Sequence, residues 1–176
     1  MASLFSIEFY DLIMRYLNDD GVLVQWLQLY EFDDYLLASV INAITARFPN
    51  YVVYQTDDSN LVVAASRGAK LDALAPTICD APALKNELAR VGIHHIDDLR
   101  AHRIGSRATL EPLFASFNAP INSDYRPYVD QHAPKARLME TLPRPWSGSP
   151  PRLCHYSKCW TRHGAYRLPR SQRSPK

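Results

Sequence analysis

The sequence is poor in the features that define several classes of protein. Its three cysteines are odd in number and lack the regular spacing of a secreted disulfide framework. It contains no run close to the roughly 20 apolar residues that a membrane helix requires, and no basic N-terminal region followed by an apolar run. These absences predict a cytoplasmic chain without a membrane segment.

Glycine is also scarce, and none of the six glycines forms a closely spaced loop that would cradle nucleotide phosphates. The chain begins instead with apolar residues at helical spacing from Leu4 to Leu17, followed by a turn with Gly21 available for a left-handed helix cap. An almost uninterrupted apolar run over residues 21–27 then predicts a strand covered on both faces, as in a parallel sheet. This order predicts the second half of a nucleotide-type α/β domain, with the first half expected outside this sequence.

Residues 33–66 continue the pattern of an α/β unit. Asp33 and Asp34 favour a helix start, and apolar residues recur at helical spacing until Pro49 ends the helix. Two β-rich runs, residues 51–55 and 61–65, flank a turn-forming cluster and predict an antiparallel hairpin. With only three predicted strands, the sheet is expected to expose an apolar edge that a partner would cover.

Two further regions follow the hairpin. Residues 67–138 predict a helical extension, which includes a helix with Asp80 as its cap, Pro82 in its first turn and a stop at Gly92. Shorter helices are predicted over residues 96–103 and 109–117. Residues 139–176 are predicted to form a disordered basic tail, because frequent proline interrupts any periodicity there.

Charge separates the tail from the rest of the chain. Residues 137–176 hold nine basic residues and one acidic residue, a net charge of +8. Because the whole chain carries +2, residues 1–136 carry a net charge of −6. Enrichment in proline and arginine without periodicity more often indicates disorder than a nucleic-acid site, so no nucleic-acid partner is expected. An abrupt change of this kind near residue 138 would also follow from a shifted reading frame.

Three separated segments of the chain form a set of motifs that occur in order. The first is Ser-Leu-Phe-Ser-Ile-Glu-Phe-Tyr at residues 3–10, followed by Leu-Asn-Asp-Asp-Gly-Val-Leu-Val-Gln-Trp-Leu at residues 17–27. The second is Phe-Pro-Asn-Tyr-Val-Val-Tyr-Gln-Thr at residues 48–56, with its hairpin partner at residues 61–66. The third is Ala-Pro-Ile-Asn-Ser-Asp-Tyr-Arg-Pro-Tyr at residues 119–128. Taken together, the three segments resemble the polyamine aminopropyltransferase family of spermidine and spermine synthases, and the third is similar to an Asn-Thr-Asp-x-x-Pro segment of that family.

The resemblance implies a fold like that of class I methyltransferases and the transfer of an aminopropyl group from decarboxylated S-adenosylmethionine to putrescine or another polyamine. In the family, an essential aspartate lies just before the segment that matches residues 3–5, where this sequence has Met1 and Ala2. The glycine-rich loop and the acidic residue for the ribose are expected still earlier. The chain alone is therefore expected to bind no cofactor and to be inactive.

Two alternatives remain open beside a truncated spermidine synthase-like protein. One is an S-adenosylmethionine-dependent methyltransferase-like protein with another acceptor, because this fold does not determine the acceptor. The other is a non-enzymatic interaction module that complements a separate N-terminal half. The expected partners are a polyamine substrate, through the resemblance, and either that complementary half or further copies of the chain.

Four polar residues near predicted strand ends are candidates for contact with the amine substrate. Gln25 and Gln28 lie toward the carboxyl end of the first strand, where open α/β sheets place their ligand crevice. Tyr54 and Gln55 lie near the end of the next strand, close to where the family places a substrate-contacting loop, but the family's Pro-Thr-Tyr type of loop is not present. The alternative is that Trp26 packs under a helix while the glutamines hydrogen-bond nearby backbone.

Three other clusters carry side chains that are common in sites. A hydroxyl lies beside a carboxylate at residues 122–124, but no histidine is positioned to activate it, so a structural turn is predicted. Two adjacent histidines near two aspartates, over residues 94–98, favour a solvated loop over a metal site. The tail offers four ligands at a spacing that matches no familiar zinc finger: Cys154, His155, Cys159 and His163. No catalytic, cofactor-binding or metal-binding residue is predicted.

Overall fold

The computed structural model describes residues 2–57, 59–68, 71 and 75–139, and these residues form a mixed α/β structure. Within them, six α-helices surround one four-stranded sheet. The helices are α1 (Ile7–Tyr16), α2 (Asp34–Arg47), α3 (Pro82–Arg90), α4 (Ile96–Ala101), α5 (Arg107–Ser116) and α6 (Tyr128–Met139). The strands are β1 (Val22–Gln28), β2 (Asn50–Asp57), β3 (Asn60–Ser66) and β4 (Arg103–Ser106).

The sheet has the order β1-β3-β2-β4, and all neighbouring strands are antiparallel. The predicted hairpin is therefore confirmed as β2 and β3, while β4 is a strand that the sequence pattern did not indicate. Because β3 runs antiparallel to both of its neighbours, β1 and β2 run parallel to each other. Helix α2 connects these two parallel strands across the intervening β3.

Strand β1 corrects the prediction of a strand covered on both faces in a parallel sheet. It lies at one edge of the described sheet and pairs only with β3 there. Val22, Val24 and Trp26 lie on one face of β1 and are 41%, 64% and 54% exposed. The prediction was wrong because an aliphatic run in a sequence does not show whether the second face of the strand is covered by other residues or open to solvent. Trp26 accordingly does not pack under a helix.

The other face of the sheet forms the hydrophobic core. Leu27, Leu61, Val63, Tyr51 and Val53 point to this face and are almost fully buried. Helix α2 supplies the centre of the core and also contacts α1, α5 and α6. The core therefore includes side chains from the predicted helical extension as well as from the hairpin region; those contributed by the extension are Leu110, Phe114, Ala119 and Val129.

Local sequence determines most of the helix ends. Helix α2 starts where Asp33 and Asp34 predicted it, and the structure adds that the Asp33 side chain caps it by accepting a hydrogen bond from the backbone N–H of Leu36 at 2.8 Å. Gly92 follows α3 with φ of +79°, a left-handed conformation that glycine adopts without a steric penalty. Gly21 does not have positive φ, so its prediction as a left-handed cap is wrong. The α3 cap is Ala81, not Asp80, although Pro82 does occupy the first turn.

The remaining region predictions concern membrane spans and the tail. Among the described residues, no helix combines the length and the apolar character needed to cross a membrane. The predicted disordered tail, with its four potential zinc ligands, lies outside the described residues except for the end of α6.

Candidate functional site

The carboxyl ends of the parallel strands β1 and β2 meet at one end of the sheet. In the register of the sheet, Gln28 at the end of β1 pairs with Asn60, and Asp57 at the end of β2 pairs with the same residue from the other side. Gln28 and Asp57 thus flank Asn60 across three adjacent strands. We refer to Gln28, Asp57 and Asn60 as the sheet-end cluster. Ligands of open α/β sheets bind outside the carboxyl ends of parallel strands, which is the position of this cluster.

Asp57 is held as an exposed carboxylate in the sheet-end cluster. Its oxygens accept hydrogen bonds from Asn60 Nδ2 at 2.9 and 2.7 Å and from the backbone N–H of Ser59 at 2.8 Å. These bonds, the Asn60 side chain first, lower the pKa of Asp57 below its ordinary value. Asn60 Oδ1 is buried and has no hydrogen-bond partner within the described part of the chain. The cluster therefore presents the persistent negative charge of Asp57, while the Asn60 oxygen is shielded from solvent.

Gln25, the second candidate on β1, lies away from this cluster. Its Oε1 accepts a hydrogen bond from the Tyr10 hydroxyl at 2.6 Å, and its Nε2 donates to Leu4 O at 2.9 Å. Tyr10 is fully buried, and burial raises the pKa of its hydroxyl far above the usual range. Gln25 therefore connects α1 and the residues before it to the sheet through these two bonds. Its bond to Leu4 O agrees with the alternative in which the glutamine bonds to backbone.

Tyr54 and Gln55 are separated by the alternation of β2. Tyr54 lies on the same sheet face as Val24 and Trp26, where its side chain lines a cavity. The backbone of Gln55 pairs with His102: Gln55 N donates to His102 O at 2.8 Å, and Gln55 O lies 2.8 Å from His102 Nδ1. The structure therefore brings the four predicted candidates to separate places and joins only Gln28 to the strand ends.

The cavity has a volume of about 540 Å³ and lies between the sheet and the chain segment that contains α3 and α4. Its lining is mostly aliphatic and comprises Val52, Tyr54, Thr56, Val62, Ala64, Leu71, Val91, Ile93, Leu99 and His102. Sequence reasoning missed this feature, and His102 in particular. An isolated histidine after a short helix gives no local indication of a binding site, because its partner Gln55 is 47 residues earlier in the chain.

The Asn-Ser-Asp segment forms a turn that is bonded to α1, in agreement with the structural interpretation. Asn122 is fully buried; its Oδ1 accepts a hydrogen bond from Val129 N, and its backbone O accepts one from Ile7 N, both at 3.0 Å. The Ser123 hydroxyl donates to Glu8 Oε1 at 2.6 Å, and Asp124 N donates to Glu8 Oε2 at 2.9 Å. Ser123 Oγ also accepts a hydrogen bond from the backbone N–H of Tyr125 at 3.2 Å, so that its bonds hold the turn together and join it to α1.

Glu8 makes this turn sensitive to acid. Partial burial acts to raise its pKa, but the hydrogen bonds from Ser123 and Asp124 outweigh it and hold the pKa below the ordinary value of 4.5. A lowered folded-state pKa contributes stability above the unfolded-state pKa, and that stability is lost as pH falls through the folded-state value. We expect Glu8→Gln to lower the free energy of unfolding by about 0.5–1 kcal/mol at neutral pH.

The same difference should be smaller in acid, below pH 4.5, because the stability that the lowered pKa provides is lost as Glu8 of the wild type becomes protonated. Urea unfolding of both chains at the two pH values measures it. Glu87, whose carboxylate pairs with the exposed Arg90, provides the control, and Glu87→Gln should change little at either pH. A Glu8→Gln deficit that persists unchanged in acid would contradict this assignment.

The histidine and aspartate cluster over residues 94–98 forms a helix start. Asp98 Oδ2 accepts hydrogen bonds from the backbone N–H groups of His94 and His95, both at 2.9 Å, which caps α4. These two bonds lower the pKa of Asp98. No group of three or more histidine, cysteine, aspartate or glutamate side chains suited to a metal ion occurs within the described ranges.

Comparisons with known proteins do not assign the chain to a family. No protein-family model, no curated protein and no solved structure matches it.

Proposed function

We propose that the chain is a spermidine synthase-like protein, in which the described residues form the amine-binding side of a class I methyltransferase-like domain. The proposal extends the resemblance of three sequence segments to a specific place in the structure. The observation that carries it is the sheet-end cluster, in which the exposed Asp57 carboxylate and the side-chain amide of Gln28 lie at the carboxyl ends of two parallel strands. The reaction is aminopropyl transfer from decarboxylated S-adenosylmethionine to a diamine or polyamine.

The strand arrangement supports a doubly wound sheet. Strands β1 and β2 are parallel and joined by a helical crossover, which is the repeating unit of such sheets. Strand β3 lies between β1 and β2 and runs antiparallel to both, and sheets that mix parallel and antiparallel strands are common among doubly wound folds. The hydrogen-bonding edge and open apolar face of β1 are suited to pairing with a further strand. In this proposal, the residues that hold the co-substrate are on the strand that pairs with β1.

The chemistry of the sheet-end cluster suits an amine substrate. A polyamine carries positive charges separated by methylene groups, and the lowered pKa of Asp57 keeps its carboxylate negative at neutral pH. Asp57 would hold a distal ammonium group, while the reacting amine must be neutral to attack the carbon next to the sulfonium. The side-chain amide of Gln28 offers a further acceptor for ammonium hydrogens.

Complementation tests this proposal. We expect the purified chain to show no aminopropyl transfer with putrescine and decarboxylated S-adenosylmethionine. Transfer should appear when the chain is co-purified with an N-terminal segment from a spermidine synthase, one that contains the glycine-rich loop and the catalytic aspartate. The product is measured by mass spectrometry. If every stable, co-purified pair fails to form spermidine, the proposal is contradicted. Turnover by the purified chain alone would contradict the expectation that it is inactive by itself.

In the complemented pair, the Asp57→Asn variant tests substrate binding separately from the assembly of the chain with the N-terminal segment. We expect the KM for putrescine to rise about tenfold, because one charge-assisted contact is lost, with a smaller change in kcat. Asp20 is also an exposed aspartate, but it lies in the turn before β1, and Asp20→Asn serves as the matched control. Equal effects of the two substitutions on the KM for putrescine would show that Asp57 is not part of the substrate site.

A further inference from the structure

The cavity on the second face of the sheet is chemically unlike the sheet-end cluster. Its walls come from alternate residues of β2 and β3, including Val52, Val62 and Ala64, and from Ile93 and Leu99 on the opposite side. Among the described residues that line it there is no lysine, arginine, aspartate or glutamate. Burying an ammonium group without a counter-charge is unfavourable, so this described lining does not favour a polyamine. Its volume of about 540 Å³ lies within the range of small-molecule sites.

His102 provides a defined polar group in the lining. Its Nδ1 lies 2.8 Å from Gln55 O, and a carbonyl oxygen can only accept, so Nδ1 carries the hydrogen. In the neutral ring, Nε2 is then an acceptor. The His102 backbone is also bonded, since its O accepts from Gln55 N at 2.8 Å. The imidazole is therefore held in one tautomer before any ligand arrives.

We propose that this cavity binds a small, neutral, largely apolar molecule that donates one N–H or O–H hydrogen bond to His102. The site is separate from the sheet-end cluster and does not depend on aminopropyl transfer. The apolar walls supply affinity through burial, and the fixed imidazole selects ligands with a donor. Charged molecules are disfavoured because the described lining residues offer no counter-charge.

Fluorescence titration with N-phenyl-1-naphthylamine tests the site, because this probe is neutral and has a single N–H donor. We expect the wild-type chain to bind it about fivefold to tenfold more tightly than its N-methyl derivative, which lacks the donor. His102→Leu should remove this preference while retaining binding of the N-methyl probe. A wild-type chain that binds neither probe, or binds both equally, would overturn the proposal.

A pair of phenylalanine substitutions distinguishes the cavity from the open face of β1. Ala64 lines the cavity, whereas its cross-strand partner Val24 lies on the same sheet face outside the lining and is 64% exposed. Ala64→Phe should fill the cavity and weaken probe binding at least tenfold, while Val24→Phe should leave it within twofold. The reverse result would place the probe on the open face of β1 and overturn the proposal.

Nuclear magnetic resonance of the wild type decides the same question if Ala64→Phe fails to fold, as judged by circular dichroism. Saturating probe should shift the amide resonances of Ala64, Ile93 and His102. Shifts centred on Val22, Val24 and Trp26 instead would show binding to the open face and refute the cavity site.

Discussion

Replacing Phe48 with alanine is expected to lower the free energy of unfolding by about 3–5 kcal/mol, which is a large part of the stability of an ordinary domain. Phe48 ends α2 and is completely buried. Its ring meets the ring of Tyr10 edge to face, with centroids 6.1 Å apart, so that it connects α2 to α1. Its removal loses both the burial of the ring and this contact, and it leaves a cavity that the rigid surroundings fill only in part.

Urea unfolding followed by circular dichroism measures the effect as a shift of the midpoint. Tyr16→Ala is the matched control, because Tyr16 is also an aromatic residue near a helix end but is 80% exposed. We expect the control to change stability by no more than about 0.5 kcal/mol. Similar midpoints for the two variants would mean that Phe48 does not occupy the packed position described here.

Asn122→Ala is expected to cost about 2–3 kcal/mol of stability. Asn122 is fully buried and its Oδ1 accepts the backbone N–H of Val129, so that alanine leaves a buried donor without this partner. The same residue accepts the N–H of Ile7 through its backbone oxygen, which alanine retains. The loss of stability therefore measures the contribution of the Asn122 side chain, which orders the segment between α5 and α6.

Asp124→Ala is the control from the same segment, since its carboxylate is exposed and its backbone N–H to Glu8 remains. We expect little change in the unfolding midpoint for this variant. In the complemented enzyme, Asn122→Ala should alter thermal stability more than the KM for putrescine. A normal unfolding midpoint with a selective loss of turnover would instead assign Asn122 to the reaction and contradict a structural role.

Strand and helix positions differed in how far they could be predicted. The hairpin of β2 and β3 was predictable because residues 57–60 supply turn-forming side chains between two β-rich runs. The start of α2 was predictable because Asp33 carries its own capping oxygen. Strand β4 was not, since Arg103–Ser106 has no marked pattern and is held by pairing with a distant strand.

The candidate site shows the same limit. Gln28 was identified because a polar residue ending an apolar strand is visible in the sequence, and the register then places it beside Asn60 and Asp57. Gln25 has the same residue type three positions earlier, but the alternation of the strand turns it toward Tyr10 and Leu4. His102 could not be predicted, because the two bonds that connect it to the sheet, from Gln55 N to His102 O and from His102 Nδ1 to Gln55 O, join residues far apart along the chain.

The sequence by itself therefore determined the local elements: the helical periodicity of α1 and α2, the cap at Asp33, the hairpin turn and the left-handed stop at Gly92. Each depends on interactions between residues a few positions apart, so a short stretch of sequence contains the whole cause. Only the tertiary structure decided that β1 has an open face, that Gln28 and Asp57 flank Asn60, and that His102 lines an apolar cavity. These features depend on which strands pair and in what register, and that is set by the packing of the whole core.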